Sequence, residues 1–391
     1  MPKPTRRDLL AALAASGALA SVPRFAFAGG RPDRRLVVLL LRGGMDGLAA
    51  VVPHGDPDYE AARRSLALES GLVDLDGFFG LHPALDPLAP LVEAGQLRAI
   101  HAVATPYRKR SHFDAQDLLE AGTAVPHRAR DGWLARTLTH LQGTDAVAYG
   151  QTVPLLLRGA DGVGTVSGAD DRAEESLVAS LMELYETDPL LGPALAEGLR
   201  SRDAADAALT EEDRRVSRRA RGPRAGAAVG RLLGRLLAGP DGPRIAAAEL
   251  GGWDTHAAQG TSAGGLANRL SGLADGLIAL RDGLGPAWDS TAVLVVTEFG
   301  RTVAPNGTGG TDHGTASAAL LLGGAVAAGA TVADWPGLTQ PDLFEGRDLR
   351  PTTDLRAIQA GVLRDHLGLD AAALADVFPG GPKPTPELIT S

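Results

Sequence analysis

The sequence predicts an α/β protein built on an open, mostly parallel sheet with helices on both faces. Short, almost fully apolar runs recur along the chain, and helical stretches lie between several of them. The runs stop abruptly at polar, glycine-rich loops. Runs apolar on both faces suit a buried parallel sheet, because a strand with one wet face alternates instead.

The strand candidates are residues 35–41, 97–104, 153–157, 245–250, 292–297 and 318–322. Helices are expected over 84–93, 113–122, 132–141, 175–185, 266–281 and 354–367. The stretch 197–224 is dense in Arg, Asp, Glu and Ala and lacks a strand-like run. It reads as part of a solvated helical excursion near residues 170–240. The proline-rich tail from Pro379 is expected to lie along the surface.

The amino terminus carries Lys3, Arg6 and Arg7 ahead of an apolar run, 9–22, that is too short and too rich in Ala, Gly and Ser to span a bilayer comfortably. Ala26-Phe27-Ala28 gives the small-x-small pattern of a cleavage site. The pair in Thr5-Arg6-Arg7-Asp8-Leu9-Leu10 resembles the twin-arginine export consensus. Residues 1–28 are therefore expected to be a twin-arginine signal read by the translocase, and 29–391 a single domain working in the periplasm or outside the cell.

Losing 1–28 removes four basic residues and one acidic one, so the formal charge moves from −9 to −12. Such acidity argues against nucleic acid and anionic membrane surfaces as partners. Cysteine is absent, which excludes disulfides and thiolate chemistry and leaves His, carboxylate or hydroxyl groups as metal ligands. No second apolar stretch is long enough for an integral membrane segment in the mature form.

Five polar clusters interrupt the apolar runs, four of them directly after a predicted strand, where open α/β sheets bind ligands. In the first, Arg42-Gly43-Gly44-Met45-Asp46-Gly47, Asp46 either binds a cation or caps the next turn. The second places Arg108, Lys109 and Arg110 before Ser111 at a helix start. Ser111 is either the N-cap or a nucleophile toward an anionic ester, favoured by the helix end and the cations. His112 is open as base, ligand or packed residue. In Gly251-Gly252-Trp253-Asp254-Thr255-His256, residues two apart in an extended loop face one side, so Asp254 and His256 can grip one metal. Glu298, at a buried strand end, needs either Arg301 or a metal to neutralise it. Asp312 and His313 sit in a glycine-rich loop that suits ligand shaping. Together Asp46, Asp254, His256, Glu298, Asp312 and His313 are mixed oxygen and nitrogen donors suited to divalent zinc or manganese.

The order of these clusters resembles the alkaline phosphatase superfamily. More closely, Leu-Arg-Gly-Gly-Met-Asp-Gly-Leu, Arg-Ser-His-Phe-Asp-Ala-Gln-Asp, Gly-Gly-Trp-Asp-Thr-His, Thr-Glu-Phe-Gly-Arg-Thr and Gly-Thr-Asp-His-Gly are similar to an exported bacterial family within it, DUF1501. The resemblance implies that Asp46 ligates one ion, with Ser111 bridging to it as nucleophile, and that Asp254, His256 and His313 hold a second. In relatives an Asp-His pair follows the fourth of these strands, whereas here Glu298-Phe299 stands there, which leaves one metal position short of an imidazole. Ser111 is followed by His-Phe-Asp, unlike the formylglycine signature of sulfatases. The resemblance thus implies a serine-based hydrolase of phosphate or sulfate esters with one or two ions, and Arg42, Lys109, Arg110 and Arg301 as anion clamps. The incomplete ligand set equally suits a non-catalytic relative that binds an anionic glycan or a partner protein.

Overall fold

A computed structural model describes residues 34–390, apart from 142, 168–174, 190, 194, 197, 200–202, 204–225, 240, 241 and 330. The expected export signal and much of the expected helical excursion lie outside these residues. Nine strands form the main sheet: β1 (Arg35–Arg42), β2 (Leu97–Ala104), β3 (Ala146–Tyr149), β4 (Val163–Val166), β5 (Ile245–Gly251), β6 (Thr291–Thr297), β7 (Ser317–Leu322), β8 (Thr331–Val332) and β9 (Thr353–Asp354). Their order is β8-β2-β7-β6-β1-β5-β3-β4, with β9 also pairing β2. β7 runs antiparallel to β2 and β6, and every other pairing among them is parallel. The mostly parallel open sheet is as the sequence predicts.

β1 shows why its residues make a central strand. Successive side chains alternate sides. Leu36, Val38 and Leu40 enter one core cluster, while Val37, Leu39 and Leu41 enter the other. Both sides are therefore dry, and each such side chain contributes about 1.5–3 kcal/mol by burial. Helices α1 (His112–Ala121), α2 (Trp133–Thr139), α3 (Glu175–Leu184), α4 (Gly226–Ala238), α5 (Gly265–Leu284), α6 (Leu355–Val362) and α7 (Ala371–Val377) complete the frame. α4 and α5 supply one cluster, and α2, α6 and α7 supply the other. α4 and α5 pack backbone to backbone, since a Cβ on Gly230 would lie 2.0 Å from the Gly276 carbonyl oxygen.

One expectation changes. Residues 153–157 are not a strand: Pro154 leads into a 3-10 turn, Leu155–Leu157, whose Leu156 and Leu157 are buried. The run is apolar because it packs into the core, and a proline without an N–H suits a turn better than a central ladder. β3 and β4, four residues each, which the sequence did not mark as strands, form the edge of the sheet beyond β5.

Candidate metal centre

The carboxyl ends of β1, β5 and β6 meet at one side of the sheet, and the loops leaving them interlock. Gly43 has φ +125°, and a Cβ there would sit 2.5 Å from the amide nitrogen of Asp254. Only glycine lets the loop after β5 close on the turn after β1. The β5 loop then presents Asp254 and His256, β6 ends at Thr297 with Glu298 next, and His313 arrives on the loop before β7. β2 leads to α1, whose first residue is His112.

Three imidazoles converge with the same orientation. His112 Nδ1 lies 2.8 Å from Glu298 Oε1, His256 Nδ1 lies 3.1 Å from Asp312 Oδ1, and His313 Nδ1 lies 3.0 Å from the Arg110 carbonyl oxygen. Each outer acceptor takes the Nδ1–H, so each Nε2 presents a lone pair inward. The Nε2 of His313 is 3.0 Å from that of His112 and 3.0 Å from that of His256. Asp254 Oδ1 lies 3.2 Å from His313 Nε2 and 3.0 Å from His256 Nε2. Lone pairs and a carboxylate aimed at one another repel unless a cation lies between them. The ligand atoms of His112, Asp254 and His313 all fall within 4.8 Å of one another, a group able to hold a metal ion, and His256 adjoins it.

The electrostatics agree with this division of labour. The hydrogen bond to Glu298 raises the His112 pKa against the effect of its partial burial. Burial, and then the charge of His112, lower that of His313. Burial pushes the Glu298 carboxyl up, but His112, Gln116 and the Gly43 amide outweigh it and hold the group below the usual glutamate range. Burial likewise raises Asp254, and the Arg301 guanidinium with the imidazoles more than reverses it. Asp312 is held low first by the Asn306 amide.

The six expected metal ligands thus separate into roles. Asp254, His256 and His313 converge and are joined by His112, which the sequence left open as base, ligand or packed residue. Glu298 and Asp312 stand behind imidazoles instead. Asp46 is engaged elsewhere: it is buried, its Oδ2 accepts from Arg63 Nη2 at 2.6 Å and from Gln259 Nε2 at 2.7 Å, and Arg63 is buried too. A guanidinium therefore already neutralises the carboxylate for which a first ion was expected.

The expected anion clamps are mostly occupied. Arg42 Nη2 contacts Glu120 at 2.7 Å and Glu249 at 2.6 Å. Arg110 contacts Asp348 at 2.8 Å and Glu345 at 2.5 Å, and Arg301 contacts Asp254 at 2.7 Å. Lys109 is exposed. Ser111 is the N-cap residue of α1, and its side chain makes no capping hydrogen bond. Sequence reading gave no role to Arg63, Gln259 or Gln116. Gln116 had a signal, since it lies four residues after His112 on one helix face and donates to the same Glu298 oxygen at 3.0 Å.

The sequence matches the family described as a protein of unknown function, DUF1501, over residues 88–378. The chain belongs to this family. The DUF1501 span includes His112, Asp254, His256, Glu298, Asp312 and His313, while Arg42, Asp46 and Arg63 precede it. No curated protein matches the chain. Solved structures similar to it include a protein of the alkaline phosphatase superfamily from Vibrio parahaemolyticus, at 12% identity over 97% of this chain and 79% of that one, TM-score 0.38. Another is the C-terminal periplasmic domain of EcEptC from Escherichia coli in complex with zinc, at 10% identity over 76% and 77%, TM-score 0.35. A third is a phosphonate monoester hydrolase of Agrobacterium radiobacter, at 13% identity over 74% and 68%, TM-score 0.32.

Proposed function

We propose that this DUF1501 chain is a metal-dependent hydrolase of phosphate or sulfate esters, related to the alkaline phosphatase superfamily, with Ser111 as nucleophile. The observation that carries it is the inward convergence of three imidazoles and Asp254, each imidazole fixed from behind. Nitrogen ligands with one carboxylate suit zinc, with manganese the second choice. One ion is the reading favoured here, because Arg63 stands where a second would meet Asp46.

A bound ion would neutralise ester charge and ease ionisation of a nearby hydroxyl. The chain itself does the rest. Ser111 is the N-cap residue of α1, one position before His112, so it stands at a positive helix end and next in sequence to a member of the metal group. The first amides of α1 are available to an ester oxygen, and exposed Lys109 attracts the anion. Arg301 keeps Asp254 ionised, and Glu298 holds the tautomer of His112.

Nitrophenyl phosphate, diester and sulfate substrates, with elemental analysis of the purified protein, test this reading. One ion per chain and turnover are expected. Ser111→Ala should lower kcat at least 1000-fold and leave the ion in place, whereas His313→Ala should lose the ion. Turnover retained by Ser111→Ala would remove the serine from the mechanism.

A second reading has its own support. Arg42, Arg110 and Arg301 are each tied to carboxylates, which leaves few cations for a clamp and suits a non-catalytic binder of an anionic glycan or partner protein. A metal-loaded protein that turns over none of the esters would favour it. For the mature protein in either case, the basic, apolar and small-residue order of 1–28 supports twin-arginine export to the periplasm or beyond. Replacement of Arg6 and Arg7 by Lys should retain the precursor in the cytoplasm.

A further inference from the structure

Two loops carry Asp254, His256, Asp312 and His313, and both are largely exposed around these residues. Their backbones join directly. The Thr311 N–H donates to the Thr255 carbonyl at 3.0 Å, and the Gln259 N–H donates to the Gly309 carbonyl at 2.9 Å. Two loops joined to each other still need a fixed point on the sheet.

The side chain of Gln259, only 1% exposed, supplies one. Its Nε2 donates to Asp46 Oδ2 at 2.7 Å, and its Oε1 accepts from Thr255 Oγ1 at 2.7 Å and from Thr311 Oγ1 at 2.8 Å. Thr255 lies between Asp254 and His256, and Thr311 directly precedes Asp312 and His313. One amide therefore grips both loops at the residues beside the metal group and ties them to the turn after β1.

Asp46 dictates which way that amide faces. Its Oδ2 is paired with Arg63 Nη2 at 2.6 Å, and the opposite amide orientation would set oxygen against oxygen with no proton between them. The chain of bonds continues from Thr311, whose Oγ1 accepts from Arg301 Nε at 3.2 Å, while Arg301 Nη1 donates to Asp254 Oδ1 at 2.7 Å. Arg63, Asp46, Gln259, Thr255, Thr311 and Arg301 are all buried. Breaking one such bond is costly, because the partner left behind has no water to replace it. We infer that Gln259 is a positioning residue for the metal group, and that the Asp46–Arg63 pair serves to orient it. The inference rests on the metal reading above and not on ester hydrolysis.

The test compares zinc affinities of folded variants by competition with a chromophoric chelator. Gln259→Met keeps the length of the side chain, removes all three bonds, and should bind zinc at least tenfold more weakly. Gln259→Glu should do the same, since its carboxylate can accept from both threonines but faces Asp46. Gln359→Met, at a buried amide in α6, should bind zinc like the parent. Thermal unfolding establishes that each variant folds, and Gln259→Glu carries the test if Gln259→Met does not. Thr255→Val should weaken binding as well, and its effect should not add to that of Gln259→Met, because both remove the same bond. Parent-like affinity in the folded Gln259 variants, or full additivity with Thr255→Val, overturns the positioning role. Hydrogen exchange of the metal-free chain gives a readout that needs no ion: segments 255–260 and 306–313 should exchange faster in the Gln259 variants, with β1 and β6 unchanged. The two readings fail separately. A parent that binds no zinc sinks the metal reading, and exchange then decides on Gln259: unchanged protection of the two segments overturns the anchor, and a loss confined to them upholds it.

Discussion

Glu298 shows how a fully buried carboxylate can serve a metal group without touching the ion. Its Oε1 accepts from the Gly43 amide at 2.9 Å, from Gln116 at 3.0 Å and from His112 Nδ1 at 2.8 Å. The charge is thereby solvated by donors, and His112 is held with Nε2 inward. Because the pair raises the His112 pKa, a proton competes with the ion for Nε2 already above the ordinary histidine value. Metal affinity should therefore fall as pH drops through that raised value, and His313, whose pKa is lowered, should not add to the loss there. In the metal-free protein the sign is opposite: the His112–Glu298 pair stabilises fully below the unfolded histidine pKa, and its contribution is lost as pH rises through the folded one. Glu298→Gln removes the charge, so the dissociation constant at neutral pH should rise about 10- to 100-fold and the pH midpoint of metal binding should move down. Competition with a chromophoric chelator across pH reads both, and an unchanged midpoint would show that Glu298 does not set the His112 proton. The sequence marked Glu298 as functional by its strand end. Its place behind His112 was hidden, because that depends on how close α1, 186 residues away, comes to β6. Asp46 was ambiguous for the same reason, since nothing in the spacing announced that Arg63 would be buried against it.

At the scale of elements, the strands that position the group were legible wherever a run was long and apolar on both sides. β1, β2, β5, β6 and β7 fall within a residue or so of their expected bounds. Failure came where burial and strand geometry part company, as in Leu155–Leu157, or where a four-residue strand such as β3 carries too little pattern to stand out. The α4–α5 pair was only half visible. The 266–281 helix is read from its periodicity, yet the use of Gly226, Gly230 and Gly234 as a contact surface exists only once the partner helix is placed against it. That surface makes a sharp prediction. Gly230→Leu would force side-chain atoms into the backbone around Gly276 and Leu280, and the helices would have to separate. A loss of at least about 3 kcal/mol is expected in urea unfolding, while Gly198→Ala, whose Cβ meets nothing within 4 Å, should be neutral. Equal stability of Gly230→Leu and the parent would mean that the two helices do not pack this closely.

For the whole molecule, the same sheet that gathers the metal group also builds in a sensitivity to acid through a residue outside that group. His101 lies in β2 with no exposed surface, its Nε2–H donating to the Val51 carbonyl at 2.9 Å while Nδ1 accepts from the Ala102 amide at 2.8 Å. Both nitrogens are used with the ring neutral, and burial penalises the charged form. Burial, only partly offset by hydrogen bonds to the Val51 and Gly47 backbone, brings its pKa down to about 4. The unfolded chain binds that proton near pH 6.5, so between about 6.5 and 4 the unfolded state holds more protons than the folded one. Stability therefore declines as pH falls through that window, by about 3 kcal/mol in all from this one residue, and it is fully present above it. His101→Gln retains an amide that can reach the Val51 carbonyl but cannot titrate. It should be less stable than the parent at pH 7 and show a flatter decline between pH 6.5 and 4 in urea midpoints. A parent curve with the same slope as His101→Gln would place the acid sensitivity elsewhere, with the imidazoles around Asp254 the next groups to vary.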